Sequence, residues 1–132
     1  MYLSFLNEEE QKDFLELARY SMGLNGEYKD SEEKVLLNYK YECHLEDYLA
    51  SRQDQIEAII EAFTKSTDKV KKIVLIELYG VLSADNEVCE KESKFFGELA
   101  AKLDVDGFML KRIIRWVEAM NDLVEEGLNL IG

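Results

Sequence analysis

Apolar residues recur along this chain at three- and four-residue intervals, in runs separated by polar or glycine-containing breaks. That rhythm predicts a succession of amphipathic helices. Asn7 and Glu10 form a capping-box pair at the head of the first run, where Phe14, Leu15, Leu17, Ala18 and Met22 supply a wide apolar face. The helix should fail at Gly23-Leu24-Asn25-Gly26, since Gly and Asn tolerate positive φ. A second helix opens at Asp30 or Ser31, carries Val35, Leu36, Tyr39 and Cys43, and ends near His44. Leu45 to Ala50 fits either a short helical turn or a loop. Ile56, Ile59, Ile60 and Phe63 predict a third helix that runs out over Thr64 to Thr67.

The most apolar run is Ile73 to Ala84, in which only Glu77 is charged. A helix apolar on every side belongs at the centre of a bundle. It leads into an acidic elbow, Ala84-Asp85-Asn86-Glu87-Val88-Cys89-Glu90-Lys91-Glu92-Ser93, and then into a fifth helical face of Phe95, Phe96, Leu99, Ala100 and Leu103. After the break at Asp104-Val105-Asp106-Gly107, the stripe Leu110, Ile113, Ile114, Val117, Met120 and Val124 predicts a long last helix. Asp122, Glu125 and Glu126 oppose its dipole, so fraying is expected toward Gly132.

Composition narrows the fold class. At 132 residues and 47% hydrophobic, the chain can bury a core as one domain, residues 1–132. With no Pro and only seven Gly, it favours an all-α, single-domain bundle of about six to seven helices. A formal charge of 16 − 28 = −12 repels nucleic-acid phosphates and anionic membranes. The expectations are therefore no nucleic acid, no membrane insertion, and a protein or cationic partner. Met1 to Leu6 runs straight into Asn7-Glu8-Glu9-Glu10, which is no signal peptide, and the longest apolar run is shorter than the ~20 residues a bilayer needs. A cytoplasmic location is expected. Cys43 and Cys89 form no C-x-x-C and read as free thiols.

Sliding the chain by 60 residues lays Asn25, Glu27 and Glu32 on Asp85, Glu87 and Glu92, and Lys34 on Lys94. The helices behind them align as well, which suggests pseudo-repeated halves at roughly 7–50 and 68–105, followed by the long helix at 107–127. An apolar helix, an acidic glycine- or asparagine-bearing elbow, and a glutamate opening the next helix resemble the TerB-like family, associated with tellurite resistance and stress responses. The match is best over Leu78 to Leu103 and extends more loosely to nearly the whole chain. The resemblance implies an all-α bundle of two helical halves, and carboxylates that bind a metal ion, which map here onto Asp85, Glu87 and Glu92. Their first-half counterparts would be Asn25, Glu27 and Glu32. Asn86 stands where the family usually has Gly, and Asn25 where it has an acid.

Carboxylates suit hard divalent cations such as Ca²⁺, Mg²⁺ or Mn²⁺, whereas one His and no paired Cys disfavour zinc or copper. The same glutamates, in first helical turns, also fit plain dipole stabilisation worth ~0.3–1 kcal/mol. EF-hand spacing fails, since a loop begun at Asp85 puts Glu90 at the glycine position and Phe96 at the bidentate-Glu position. His44, the single histidine, reads as an exposed helix end with no nucleophile paired to it. Glu77 is expected to reach an opening where it meets Lys or water. Tyr39, Tyr41 and Tyr48 fit core or core edge better than a partner surface. The sequence thus points to a non-enzymatic, TerB-like binding or sensor module whose elbows hold a divalent cation. A metal-independent acidic protein-interaction adaptor is the alternative, an acidic DNA mimic a more distant third, and homo-oligomerisation stays open.

Overall fold

Asn7 opens the first helix as its residue pattern requires. Its side chain accepts from the Glu10 amide at 2.8 Å while the Glu10 carboxylate accepts from the Asn7 amide at 2.9 Å. This helix, α1, spans Glu8–Met22. The computed structural model describes residues 1–24, 26, 30–85 and 87–132, and the described residues contain helices and no strand. After α1 come α2 (Asp30–Glu42), α3 (Ile56–Thr64), α4 (Asp68–Leu82), α5 (Glu90–Lys102) and α6 (Gly107–Ile131), with short 3-10 turns at Leu3–Phe5 and Gln53–Gln55. The all-α expectation holds. Leu45 to Ala50 forms turns and irregular chain rather than a helix, because His44 takes φ 57° and turns the chain out of α2.

The apolar run at the centre of the sequence becomes the centre of the bundle. Helix α4 packs against each of the five other α-helices and against the Leu3–Phe5 turn. Val74, Leu75, Leu78, Val81 and Leu82 are wholly buried, each side chain contributing about 1.5–3 kcal/mol through removal from water. Phe14, Leu15, Leu17, Ala18 and Met22 of α1 are wholly buried too, and residues from all six α-helices join one core cluster. The aromatic pairs Phe14–Tyr39 and Tyr79–Phe96 cross between helices with ring centroids 5.4 and 5.2 Å apart.

Helix α6 departs from expectation. It continues to Ile131 instead of fraying, and Val124, the last residue of its stripe, is 56% exposed. Its polar ties to the body, among the described residues, are Tyr79 to Glu118 at 3.5 Å and Asn121 to Ser83 at 3.1 Å. Beyond Asn121 the helix leaves the bundle behind.

One close approach fixes how α2 meets α4. The Tyr39 hydroxyl donates to the Glu77 carbonyl at 2.6 Å, and a Cβ at Gly80 would lie 2.9 Å from that hydroxyl oxygen. Alone, Gly80→Ala should destabilise by ~1–3 kcal/mol through this overlap. In a Tyr39→Phe background, the same change should instead stabilise by ~0.5–1 kcal/mol through helix propensity. Urea unfolding of the four proteins reads the sign reversal, and two additive effects of one sign would rule out the contact.

Candidate functional site

The second elbow leaves α4 through Ser83, whose hydroxyl donates back to the Tyr79 carbonyl at 2.7 Å, satisfying a helix-end acceptor. Asp85 then bends the chain, its Oδ1 accepting from the Glu87 amide at 3.0 Å. Glu87 itself is exposed. The next helix is opened by Cys89, in an unusual capping box. The Cys89 Sγ accepts from the Glu92 amide at 3.4 Å, and Glu92 Oε1 accepts from the Cys89 amide at 3.0 Å. A thiol is a weak acceptor, so most of the reciprocal bonding rests on the Glu92 carboxylate.

Glu92 is wholly buried. Its Oε1 is used by the cap, while its Oε2 is buried and has no hydrogen-bond partner among the described residues. The dipole of α5 favours negative charge here, but a buried carboxylate oxygen without a donor still carries a desolvation cost. Glu32, in the first turn of α2, is also wholly buried. Asn25 and Glu27, the other first-elbow candidates, lie outside the described residues. Among the described residues no three His, Cys, Asp or Glu side chains come together in a set that could hold a metal ion.

One further buried acid, Glu16, went unnoticed in the sequence. Glu16 of α1 is wholly buried and surrounded by donors: Arg52 N at 2.8 Å, Gln53 Nε2 at 2.6 Å, Ser51 N at 3.2 Å and the Tyr48 hydroxyl. The Arg52 guanidinium Nε stands 3.7 Å away, and its NH2 group also binds Asp13 at 2.9 Å. This socket ties the long connection between α2 and α3 onto α1. Burial first, then the bond to Glu16, raises the Tyr48 hydroxyl pKa, keeping it a donor. The available signal was Glu16 standing inside an unbroken apolar stretch, between Leu15 and Leu17.

Glu77 corrects an expectation. It does not reach an opening toward Lys or water: it is 5% exposed, accepts from the Tyr2 amide at 2.7 Å and lies 3.2 Å from the Met1 amino group. Glu42 completes that clasp, accepting from the Met1 amino group at 2.7 Å and from the Leu3 amide at 3.0 Å. His44 is exposed as expected, Tyr39 is core and Tyr41 is exposed.

Comparison with family models, with curated proteins and with solved structures gives no match. The chemistry of the site therefore rests on its own residues.

The two thiols occupy opposite environments. Cys43 is buried, and burial first, with the Glu42 charge adding to it, pushes its pKa from an ordinary 9.0 to about 11. Because this pKa is higher in the folded state, its contribution to stability is complete below pH 9.0 and is lost as pH rises through about 11. Cys89 is half-buried at the elbow. With a disulfide reagent at pH 8, one thiol per native chain should react, it should vanish in Cys89→Ser, and Cys43 should react only on unfolding. Two equally fast thiols in the native protein would contradict this assignment.

Proposed function

We propose that the chain is a TerB-like binding or sensor module, acting in a stress context such as tellurite resistance, whose second elbow receives a divalent cation such as Ca²⁺, Mg²⁺ or Mn²⁺. The observation that carries this reading is the buried Glu92 Oε2 without a hydrogen-bond partner among the described residues. A hard cation is the natural complement of such an oxygen. Glu92 would anchor the ion, with Asp85 and Glu87 as the remaining ligands of that elbow and Glu32, Glu27 and Asn25 as their first-half counterparts. The ion would neutralise charge and cross-link α4 to α5, so binding and elbow rigidity are coupled.

A repeated helix–elbow–helix device belongs to the same proposal. Supporting it, α1 and α4 are both 15 residues long and begin at 8 and 68, while α2 and α5 are both 13 residues and begin at 30 and 90. The left-handed residues that end α2 and α5 are His44 and Asp104, at φ 57° and 59°. Leu36, Tyr39, Cys43 and Glu32 are buried, as are their partners 60 positions on, Phe96, Leu99, Leu103 and Glu92. These agreements are in conformation and burial, where identity between the two halves is sparse.

The rival, a metal-independent acidic adaptor for a basic protein partner, is favoured by the engagement of Asp85 with the Glu87 amide. Calorimetric titration of chelator-treated protein separates the two. The cation reading predicts saturable heat with at least one of Ca²⁺, Mg²⁺ and Mn²⁺ below millimolar concentration, lost in Glu92→Gln and reduced in Asp85→Asn. No heat at millimolar ion, or unchanged heat in both variants, would sink it.

A further inference from the structure

Helix α6 is two helices in its chemistry. Leu110, Val117, Val124 and Ile131 recur every seven residues along one edge, yet Val117 is 4% exposed while Val124 is 56% and Ile131 84% exposed. The stripe that seats the first half of α6 on α4 continues past the bundle with nothing of the described chain over it. A second seven-residue row, Met109, Trp116, Leu123 and Leu130, stands about 100° round the helix from the first, with Ile113, Met120 and Gly127 between them. The three rows together make one wide apolar face that suits a helical partner lying along α6.

Charge is divided along the same helix. Lys111, Arg112 and Arg115 lie in the first half with no acid among them, and Glu118, Asp122, Glu125 and Glu126 follow with no base. Beside the basic half runs an open groove of about 540 Å³ lined by Ile76, Met109, Ile113 and Trp116 and edged by Lys72, Arg112 and Arg115. An occupant should therefore be an apolar helix with acidic flanks. The uncovered second half of α6 has that description. In a chain of net charge −12, two copies repel over most of their surface, so a self-contact requires segregated charge of this kind.

We propose that α6 is a self-association surface, in which two copies pair α6 antiparallel about a dyad near Met120. Each copy lays its Leu123–Ile131 segment in the groove of the other, bringing Arg112 and Arg115 beside Glu125 and Glu126. The contact is isologous, so it closes as a dimer and leaves no free groove.

Sedimentation of the full chain at about 50 μM and low salt tests this. Mass should be twice 15.3 kDa, and 0.5 M NaCl should weaken the dimer as screening shortens to a few ångströms. Leu123→Glu, at a position 64% exposed, should give a monomer with unchanged helical circular dichroism. Arg112→Glu/Arg115→Glu and Glu125→Arg/Glu126→Arg should each be monomeric alone, and the variant carrying all four changes should again be a dimer, because antiparallel pairing needs only that the two ends of α6 carry opposite charge. A monomeric wild-type chain, a dimer indifferent to Leu123→Glu, or a fourfold variant that stays monomeric would each overturn the proposal.

Discussion

A carboxylate inside a protein must be met by donors, by a cation or by a proton, because leaving it unmet costs several kcal/mol. Among the described residues of this acidic chain four glutamates are buried: Glu16, Glu32, Glu77 and Glu92. How each is met decides what it does. Glu16 gathers donors from the chain leading into α3 and holds that connection against α1. Glu77, with the partly exposed Glu42, gathers the amino-terminal segment and lays it against α4. These are structural clasps made where segments with little regular structure would otherwise leave backbone donors unused. Glu92 spends one oxygen on its own helix cap and keeps the other.

The position of that acid follows from the packing of α4. Because α4 touches every other α-helix, its carboxyl-terminal end fixes where the elbow emerges and how α5 leaves it. Tyr39 and Gly80 set the distance to α2, and Asn121 to Ser83 ties α6 to the same end. The exposed second half of α6 begins just beyond that tie. The site and the uncovered helix are neighbours along the fold.

Much of this was legible in the chain. Periodicity located the helices, and the Asn7–Glu10 pair located the start of α1, because both are local properties. Glu32 and Glu92, 60 positions apart, each stand buried in the first turn of a helix, where the acidic run before each apolar stripe had pointed to a helix start. What periodicity could not give was direction. Glu16 and Glu77 interrupt apolar runs, and whether such a residue faces solvent or a buried socket depends on segments 36 and 75 positions away. Cys89 escaped notice as a cap because thiols seldom take that role. The continuation of α6 to Ile131 ran against its terminal charges, whose unfavourable dipole effect is only ~0.3–1 kcal/mol.

The central claim is that these buried acids differ in kind, Glu16 being fully met and Glu92 half met. Urea unfolding of Glu16→Gln and Glu92→Gln in chelator at pH 7 tests it most directly, since each change removes a charge while keeping size and shape. Glu16→Gln should lose about 3–5 kcal/mol, as an amide turned toward the donors of Ser51, Arg52 and Gln53 cannot replace the carboxylate. Glu92→Gln should be neutral or stabilising, because Gln keeps the cap to Cys89 and removes charge from an oxygen without a donor. Equal losses in the two variants would contradict the distinction, and with it the reading of Glu92 as a place kept for a ligand.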